Sequence, residues 1–318
     1  MINFGILGCG RVVEWAFMPG MRKSHNARVI AIASRSIEKA KGFARRYKIP
    51  DAYGSYDDLL NDPHVDAVYI ALPNNLHAEW SMKAAANKKH ILCEKPLSLN
   101  SKESREMVKV CKQNRVILME AFMFRFHPAN EKARDIINSG KIGKVKFIRC
   151  ALSFYFPPDK SEYRWNKDTG GGALFDVGCY FVNLSRFIIG REPEKVFAIQ
   201  EIHPELGVDI STFAILYFPE NIFSVCNSSF GTVNEDFYEV VGEKGGLRVE
   251  KAFVTHKKPV TITIKTADKT QKVKFPVINP YACEIDRFAD CIRKGRLIPP
   301  AEDGVANMKV LDSISMWL

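Results

Sequence analysis

Ile2-Asn3-Phe4-Gly5-Ile6-Leu7-Gly8-Cys9-Gly10-Arg11-Val12-Val13 opens the chain with an apolar run that stops at a glycine pair and gives way to a helical pattern. Strand, Gly-x-Gly, helix is an arrangement in which bare backbone N–H groups meet a pyrophosphate at a helix N-terminus, with no Cβ in the way. The expected cradle is Gly8, Cys9, Gly10, Arg11 and Val12. The third small position of that fingerprint holds Val13, a departure, because Gly or Ala normally lets helix and strand pack closely there.

The pattern around this opening repeats. Short apolar runs at Phe4–Leu7, Arg28–Ala33, Ala67–Leu72, His90–Cys93 and Val116–Met119 alternate with helical spacings such as Ala40, Phe43, Ala44 and Tyr47. The rhythm changes near Glu120. A helix over 128–138, a strand over 145–154 and a helical stretch after Gly170-Gly171-Gly172 precede six more strand-like runs between Val196 and Thr266. Two helices, about Pro280–Lys294 and Glu302–Trp317, follow. The expected fold is α/β, with a doubly wound parallel Rossmann sheet in residues 1–120. Residues 121–318 form an α+β domain with a large, mostly antiparallel open-faced sheet, and the C-terminal helix is free to pack back on the first domain.

The 318 residues are 46% hydrophobic and 26% charged, ordinary for a globular chain and wrong for a disordered one. No apolar run reads as a membrane span, and the N-terminus reads as a strand rather than a secretory signal. Eight cysteines without a Cys-x-x-Cys pair suit reduced thiols in the cytoplasm better than zinc or disulfides, and no metal is expected. The net charge of +10 is spread along the chain, densest from Arg22 to Lys48, with no nucleic-acid motif to go with it.

The second apolar run ends Ile32-Ala33-Ser34-Arg35, where an NAD site usually carries an acid for the ribose hydroxyls. Ser34, Arg35 and, one helical turn on, Lys39 suit a 2′-phosphate instead, so NADP is expected over NAD. Two further runs end in Leu72-Pro73-Asn74-Asn75-Leu76-His77 and Glu94-Lys95-Pro96, at the sheet edge where doubly wound folds bind ligands. A lysine at the end of a central strand is expensive to bury and is a candidate functional residue. Asp176 and Tyr180 stand four apart, sharing one face of an expected helix.

The glycine loop, Pro73-Asn-x-x-His77 and Glu94-Lys-Pro96, in this order, resemble the Gfo/Idh/MocA family of NAD(P)-dependent oxidoreductases. Glu120-Ala-Phe-Met-Phe-Arg-Phe-His-Pro128 and Gly170-Gly-Gly-Ala-Leu-Phe-Asp-Val-Gly-Cys-Tyr180 are similar to its dihydrodiol and D-xylose dehydrogenase branch. The resemblance implies Lys95 and Tyr180 as the catalytic pair, where many relatives place His at the Tyr180 position, and a Lys95–Pro96 bond that is often cis. It implies substrate contacts from Asp176, Arg125 and Trp165. Cofactor contacts implied beyond the glycine loop come from Leu72, Pro73, Asn74, His77 and Glu94, from Lys95, and from Arg164, Trp165 and Tyr281.

The expected activity is hydride transfer between NADP and a secondary alcohol or lactol carbon of a sugar-like or dihydrodiol substrate. The alternatives are a nucleotide-linked keto-sugar reductase and, in another class, an NADP-binding regulatory protein without turnover. A homodimer or dimer-based oligomer is expected through an apolar sheet face bearing Phe213, Ile215, Tyr217, Phe223 and Val225.

Overall fold

The structure, a computed structural model, describes residues 1–255, 258–296 and 299–315; the expected helix end at Trp317 lies outside the described residues. Two compact units are present, one of Met1–Phe122 with Tyr281–Met308, the other of Met123–Pro280 with the residues from Lys309 onward. Tyr281–Met308 thus belongs with the first unit, although its place in the chain had assigned it to the second.

In the first unit, β1 (Ile2–Leu7), β2 (Ala27–Ala33), β3 (Asp51–Tyr53), β4 (Ala67–Ile70), β5 (His90–Glu94) and β6 (Leu118–Ala121) form one parallel sheet in the order 3-2-1-4-5-6. The order reverses between β1 and β4, the switch point where doubly wound folds bind ligands. Helices α1 (Met18–Met21), α2 (Ile37–Tyr47), α3 (Tyr56–Leu60), α4 (His77–Ala86) and α5 (Ser101–Asn114) connect the strands. Their starts obey local chemistry: Ser36 caps α2 through Lys39 N, and Asn100 caps α5 through Lys102 N and Glu103 N. The three-residue β3 was not foreseen, and β6 lies two residues later than the apolar run Val116–Met119.

The second unit contains α6 (Pro128–Asn138), β7 (Val145–Ser153), α7 (Cys179–Ile189), β8 (Lys195–Ile202), β9 (Asp209–Phe218), β10 (Ile222–Ser229), β11 (Glu235–Gly242), β12 (Gly245–Glu250), β13 (Val260–Thr266) and β14 (Thr270–Phe275). The strands make an eight-stranded sheet, order 14-13-12-11-7-10-9-8, antiparallel except where β7 meets β10. One stretch, Lys167–Ile189, is long and apolar enough to cross a membrane by composition, although it holds Asp176 and Arg186; 83% of its most apolar 18-residue window is buried, as in a core helix. On the opposite sheet face Phe197, Ile199, Phe213, Ile215, Phe223 and Val225 are exposed.

The chain then returns to the first unit through α8 (Pro280–Lys294) and the start of α9 (Glu302–Ser315). Phe288 packs on Phe4 with ring centroids 5.9 Å apart, and Asp286 accepts from Ser24 Oγ at 2.6 Å and His25 N at 2.9 Å.

Asn130 on α6 is fully buried and ties three segments of the second unit together. Its Nδ2 donates to Phe124 O and Ala252 O, both at 2.9 Å, and its Oδ1 accepts from Tyr238 Oη at 3.0 Å. Asn130→Ala leaves two carbonyls and a hydroxyl unsatisfied and is expected to destabilise the protein by ~3 kcal/mol; Tyr238→Phe, which removes one donor, is expected to lose only ~1 kcal/mol. Denaturant midpoints for the two variants check this, and equal midpoints would refute the bridging role.

Candidate functional site

Gly8 has φ +103°, and a Cβ there would lie 2.7 Å from Ala71 O, so only glycine lets this loop pass the end of β4. Gly8 N donates to Ala33 O at 3.0 Å, which holds the loop against β2. A Cβ on Gly10 would lie 3.5 Å from the same carbonyl, an ordinary contact. Val13 is fully buried at the start of a π-helical turn, Val13–Phe17, wider than an α turn. Arg11 is exposed and Val12 half-buried beside the cradle.

The residues proposed for a 2′-phosphate converge on this loop. Burial pushes the Cys9 thiol up to about 11, opposed by the charge of Lys39 and a hydrogen bond with Ser34. Burial also raises the Tyr56 phenol, against the opposing charge and hydrogen bond of Arg35. Ser34 Oγ accepts from Ser36 N at 3.3 Å. Cys9, Ser34, Arg35 and Lys39 therefore share one neighbourhood, joined by Tyr56, which the sequence reading missed because a tyrosine opening a short helix carries no signal. The glycine cradle and this cationic corner fit a dinucleotide phosphate group.

The second loop is held by His77. Its ring is fully buried, with Nε2 2.9 Å from Leu72 O and Nδ1 2.8 Å from Pro96 O. Burial pushes its pKa down to about 4. Both ring nitrogens lie within hydrogen-bond distance of backbone carbonyls, and the neutral ring donates to one of them, so His77 ties the Leu72–His77 loop to the Lys95–Pro96 turn. Leu72 and Asn74 are buried, and Pro73 is half-buried.

The Lys95–Pro96 peptide is cis, and Lys95 is half-buried at the end of β5. Three carboxyl groups belong to the surrounding elements. Glu94 Oε1 accepts from Tyr69 Oη, and Glu120 Oε1 accepts from Leu97 N at 2.8 Å. Glu284 on α8 is 1% exposed, and burial together with the charge of Glu94 holds its carboxyl well above the usual range. Tyr281 is 4% exposed, pushed up by burial and by Glu94 and Glu284, and sits edge-on to Trp15 at 6.0 Å. Its ring is packed within the first unit.

In the second unit the triple glycine folds the chain back on itself. Gly171 N donates to Asn166 O and Gly172 N to Arg164 O, both at 2.9 Å. A Cβ on Gly171 would lie 2.6 Å from Arg164 O. This closeness brings Arg164 and Asp176 together at 3.6 Å. Arg164 also bonds Glu162 and stacks its guanidinium 4.0 Å over the Phe156 ring. Asp176 lies in a π-helical turn, Leu174–Gly178, that runs into α7, so the Asp176–Tyr180 spacing spans a π–α junction instead of one α-helical face. Tyr180 is 7% exposed, between Phe124 and Phe253, with its hydroxyl 3.4 Å from Met123 Sδ.

Trp165 is 2% exposed in a cluster with Phe156, Phe230 and His203. It stacks on Phe156, the ring over which the Arg164 guanidinium lies. Arg125 reaches Asn183 Oδ1 at 3.5 Å and lies 5.0 Å over the Phe187 ring. His127 caps α6 by accepting from Ala129 N at 3.1 Å. Among the described residues no cluster of three or more His, Cys, Asp or Glu could hold a metal.

Comparison with known proteins matches this architecture throughout. Residues 2–122 match the group described as "Oxidoreductase family, NAD-binding Rossmann fold", and residues 130–248 match the "GFO/IDH/MocA C-terminal domain". The chain is 35% identical to D-xylose 1-dehydrogenase (NADP(+)) 2 of Haloferax volcanii, over 98% of this chain and 95% of that one. It is 34% identical to trans-1,2-dihydrobenzene-1,2-diol dehydrogenase of Xenopus tropicalis, over 92% and 90%. The solved structure of KijD10, a 3-ketoreductase from Actinomadura kijaniata in complex with NADP and TDP-benzene, superposes with a TM-score of 0.92 at 27% identity, covering 99% of this chain and 97% of that one. With both of its domains matched and relatives of this identity along nearly its whole length, the chain belongs to the GFO/IDH/MocA oxidoreductase family.

Proposed function

We propose that this oxidoreductase uses NADP to interconvert a secondary alcohol or lactol of a sugar-like or dihydrodiol substrate and the corresponding carbonyl. The observation that carries the reading is the convergence of Ser34, Arg35 and Lys39 on the glycine loop at Cys9, with no acid at the end of β2. A 2′-phosphate would meet a hydroxyl donor and a planar guanidinium there, both charge-assisted contacts. The NADP named for the Haloferax enzyme and for the KijD10 complex supports the same choice.

In this reading Gly8, Cys9, Gly10, Arg11 and Val12 hold the pyrophosphate at the helix start, and NADP when bound supplies hydride exchange at its nicotinamide ring. The protein's own task is the proton and the charge. In the oxidative direction Tyr180 takes the hydroxyl proton of the substrate, and the Lys95 ammonium stabilises the oxygen as negative charge develops on it. Asp176, held by Arg164, accepts a hydrogen bond from a further substrate hydroxyl, and Arg125 contacts another. A nucleotide-linked keto-sugar is the second candidate substrate, favoured by the likeness to KijD10, whose complex holds TDP-benzene. We place the protein in the cytoplasm as a two-fold dimer that covers Phe197, Phe213, Ile215, Phe223 and Val225, an exposed apolar row along β8, β9 and β10.

Three outcomes test the proposal. NADP binds more tightly than NAD, and Arg35→Ala narrows the gap by ~1.5–3 kcal/mol, read by titration calorimetry; equal affinities in the unaltered protein would refute the phosphate site. In a screen of aldoses, inositols, dihydrodiols and a TDP-linked keto-sugar, Lys95→Met lowers turnover of the best substrate by ~10²–10³. The double variant with Tyr180→Phe then loses far less than the product of the single losses, because the two groups act as a unit. Multi-angle light scattering at micromolar concentration gives a dimer that Phe213→Glu splits, whereas a monomeric starting protein would end the assembly proposal.

A further inference from the structure

Asp209 opens β9 in the second unit, far in sequence from every motif used above. Its carboxylate is 6% exposed and gathers donors from two elements. Leu174 N, in the first turn of the helix that carries Asp176 and Tyr180, donates to Oδ2 at 2.7 Å. Thr212 Oγ1 on β9 donates to the same oxygen at 2.7 Å. Gln200 on β8 donates to Thr212 Oγ1 at 2.8 Å, behind the carboxylate, and together with Asp209's own backbone it favours the charged form. Gly172, at φ +110°, stands directly against Oδ1, and any Cβ there would collide with it. The last glycine of the triple-glycine motif is therefore the clearance through which this carboxylate reaches the helix start.

We infer that Asp209 is a positioning residue for the proposed catalytic helix: its carboxylate, seated against Gly172, sets the register in which Asp176 and Tyr180 are presented. The inference rests on the reading of Tyr180 and Asp176 given under the proposed function. An ionised carboxylate offers about four acceptor sites and accepts from Leu174 N and Thr212 Oγ1 at once with sites to spare; an amide or a protonated acid turns one of its atoms into a donor facing donors. A neutral side chain thus gives up part of the set, and the glycine-rich start of the helix is free to relax.

Burial dominates the electrostatics and pushes the Asp209 pKa up to about 6, against the opposing pull of its hydrogen bonds. The ionisable groups of the neighbouring elements are engaged elsewhere. Asp176 pairs with Arg164, Glu201 on β8 accepts from Ser211 Oγ at 3.0 Å, and the His203 ring faces the Glu205 and Leu206 amides. Because the folded pKa lies above the ordinary 3.8, this group's contribution to stability is fully present below about 4 and is lost as pH rises through about 6. The charge weighs against the fold at neutral pH, and a side chain needed only as a helix cap would be served by Asn.

The test is Asp209→Asn, read in four ways. At pH 8 kcat on the best substrate is expected to fall about 10²-fold, the scale of a small misplacement, with NADP affinity unchanged and the melting temperature not lowered. Unaltered enzyme should lose kcat as pH falls through about 6, down to the level of the variant, whose own profile is flat over that window. With ¹⁵N-leucine labelling, the Leu174 amide resonance of the unaltered protein should titrate over the same window and stay still in the variant; this readout needs no substrate. Should Asp209→Asn fail to fold, Thr212→Val removes a donor that favours the carboxylate and moves both titrations to higher pH. Full kcat in a folded Asp209→Asn, a flat Leu174 resonance in the unaltered protein, or an acid limb that Thr212→Val leaves in place would each overturn the inference. Normal turnover in Tyr180→Phe would instead overturn the catalytic reading, leaving the Leu174 titration to decide whether Asp209 holds the helix.

Discussion

The carbonyl oxygen of Ala71 occupies the space that a side chain on Gly8 would need, and this closeness of backbone to backbone sets the position of everything that follows in the first unit. A loop that hugs the end of β4 and is tied to β2 by Gly8 N lies at the switch point between β1 and β4. The second unit is governed by the same restriction. Gly171 lies against Arg164 O and Asn166 O, and Gly172 against Asp209, so the helix of Asp176 and Tyr180 starts where only hydrogen atoms fit. Each approach leads into a π-helical turn, Val13–Phe17 in one unit and Leu174–Gly178 in the other. Such turns are uncommon and cluster at functional sites.

Much of the architecture was legible because its signals are local. Apolar runs bounded by glycine or by polar loops marked five of the six strands of the first sheet, and alternation marked most of the second. The exceptions have physical causes. Asp51–Tyr53 is too short for a period to register. Four of the six residues of Thr270–Phe275 are polar, two of them lysine, as suits an edge strand that must not pair with another chain, and so it lacks the apolar row by which strands are found. At Val116–Met119 the apolar content continues across the boundary, and only the pairing of Ile91 with Leu118 fixes where β6 begins.

The site was legible as motifs but not as orientations. His77, Trp165 and Tyr281 occupy motif positions, and in each the side chain turns into the protein, where it braces a loop, a guanidinium or a helix. A motif gives the residue type and leaves its direction open. The residues that complete the surroundings, Tyr56, Glu284 and Asp209, come from segments distant in sequence and have no local pattern. Glu284 in particular is recognisable only once α8 is known to return to the first unit.

That return has a consequence for biosynthesis. The parallel sheet is encoded before Phe122, yet the aromatic face of β1 is covered by Phe288, and the turn Ser24–Asn26 is held by Asp286 and Asp290. A nascent chain that has emerged only as far as the sixth strand carries this face uncovered, and it stays so while the whole of the intervening sheet is synthesised. At ~5–20 residues per second the wait is on the order of ten seconds or more, during which Phe4 and its neighbours are open to chaperones or to misassociation. The nucleotide-binding half, first to be made, therefore closes only when α8 has been synthesised, near the end of the chain.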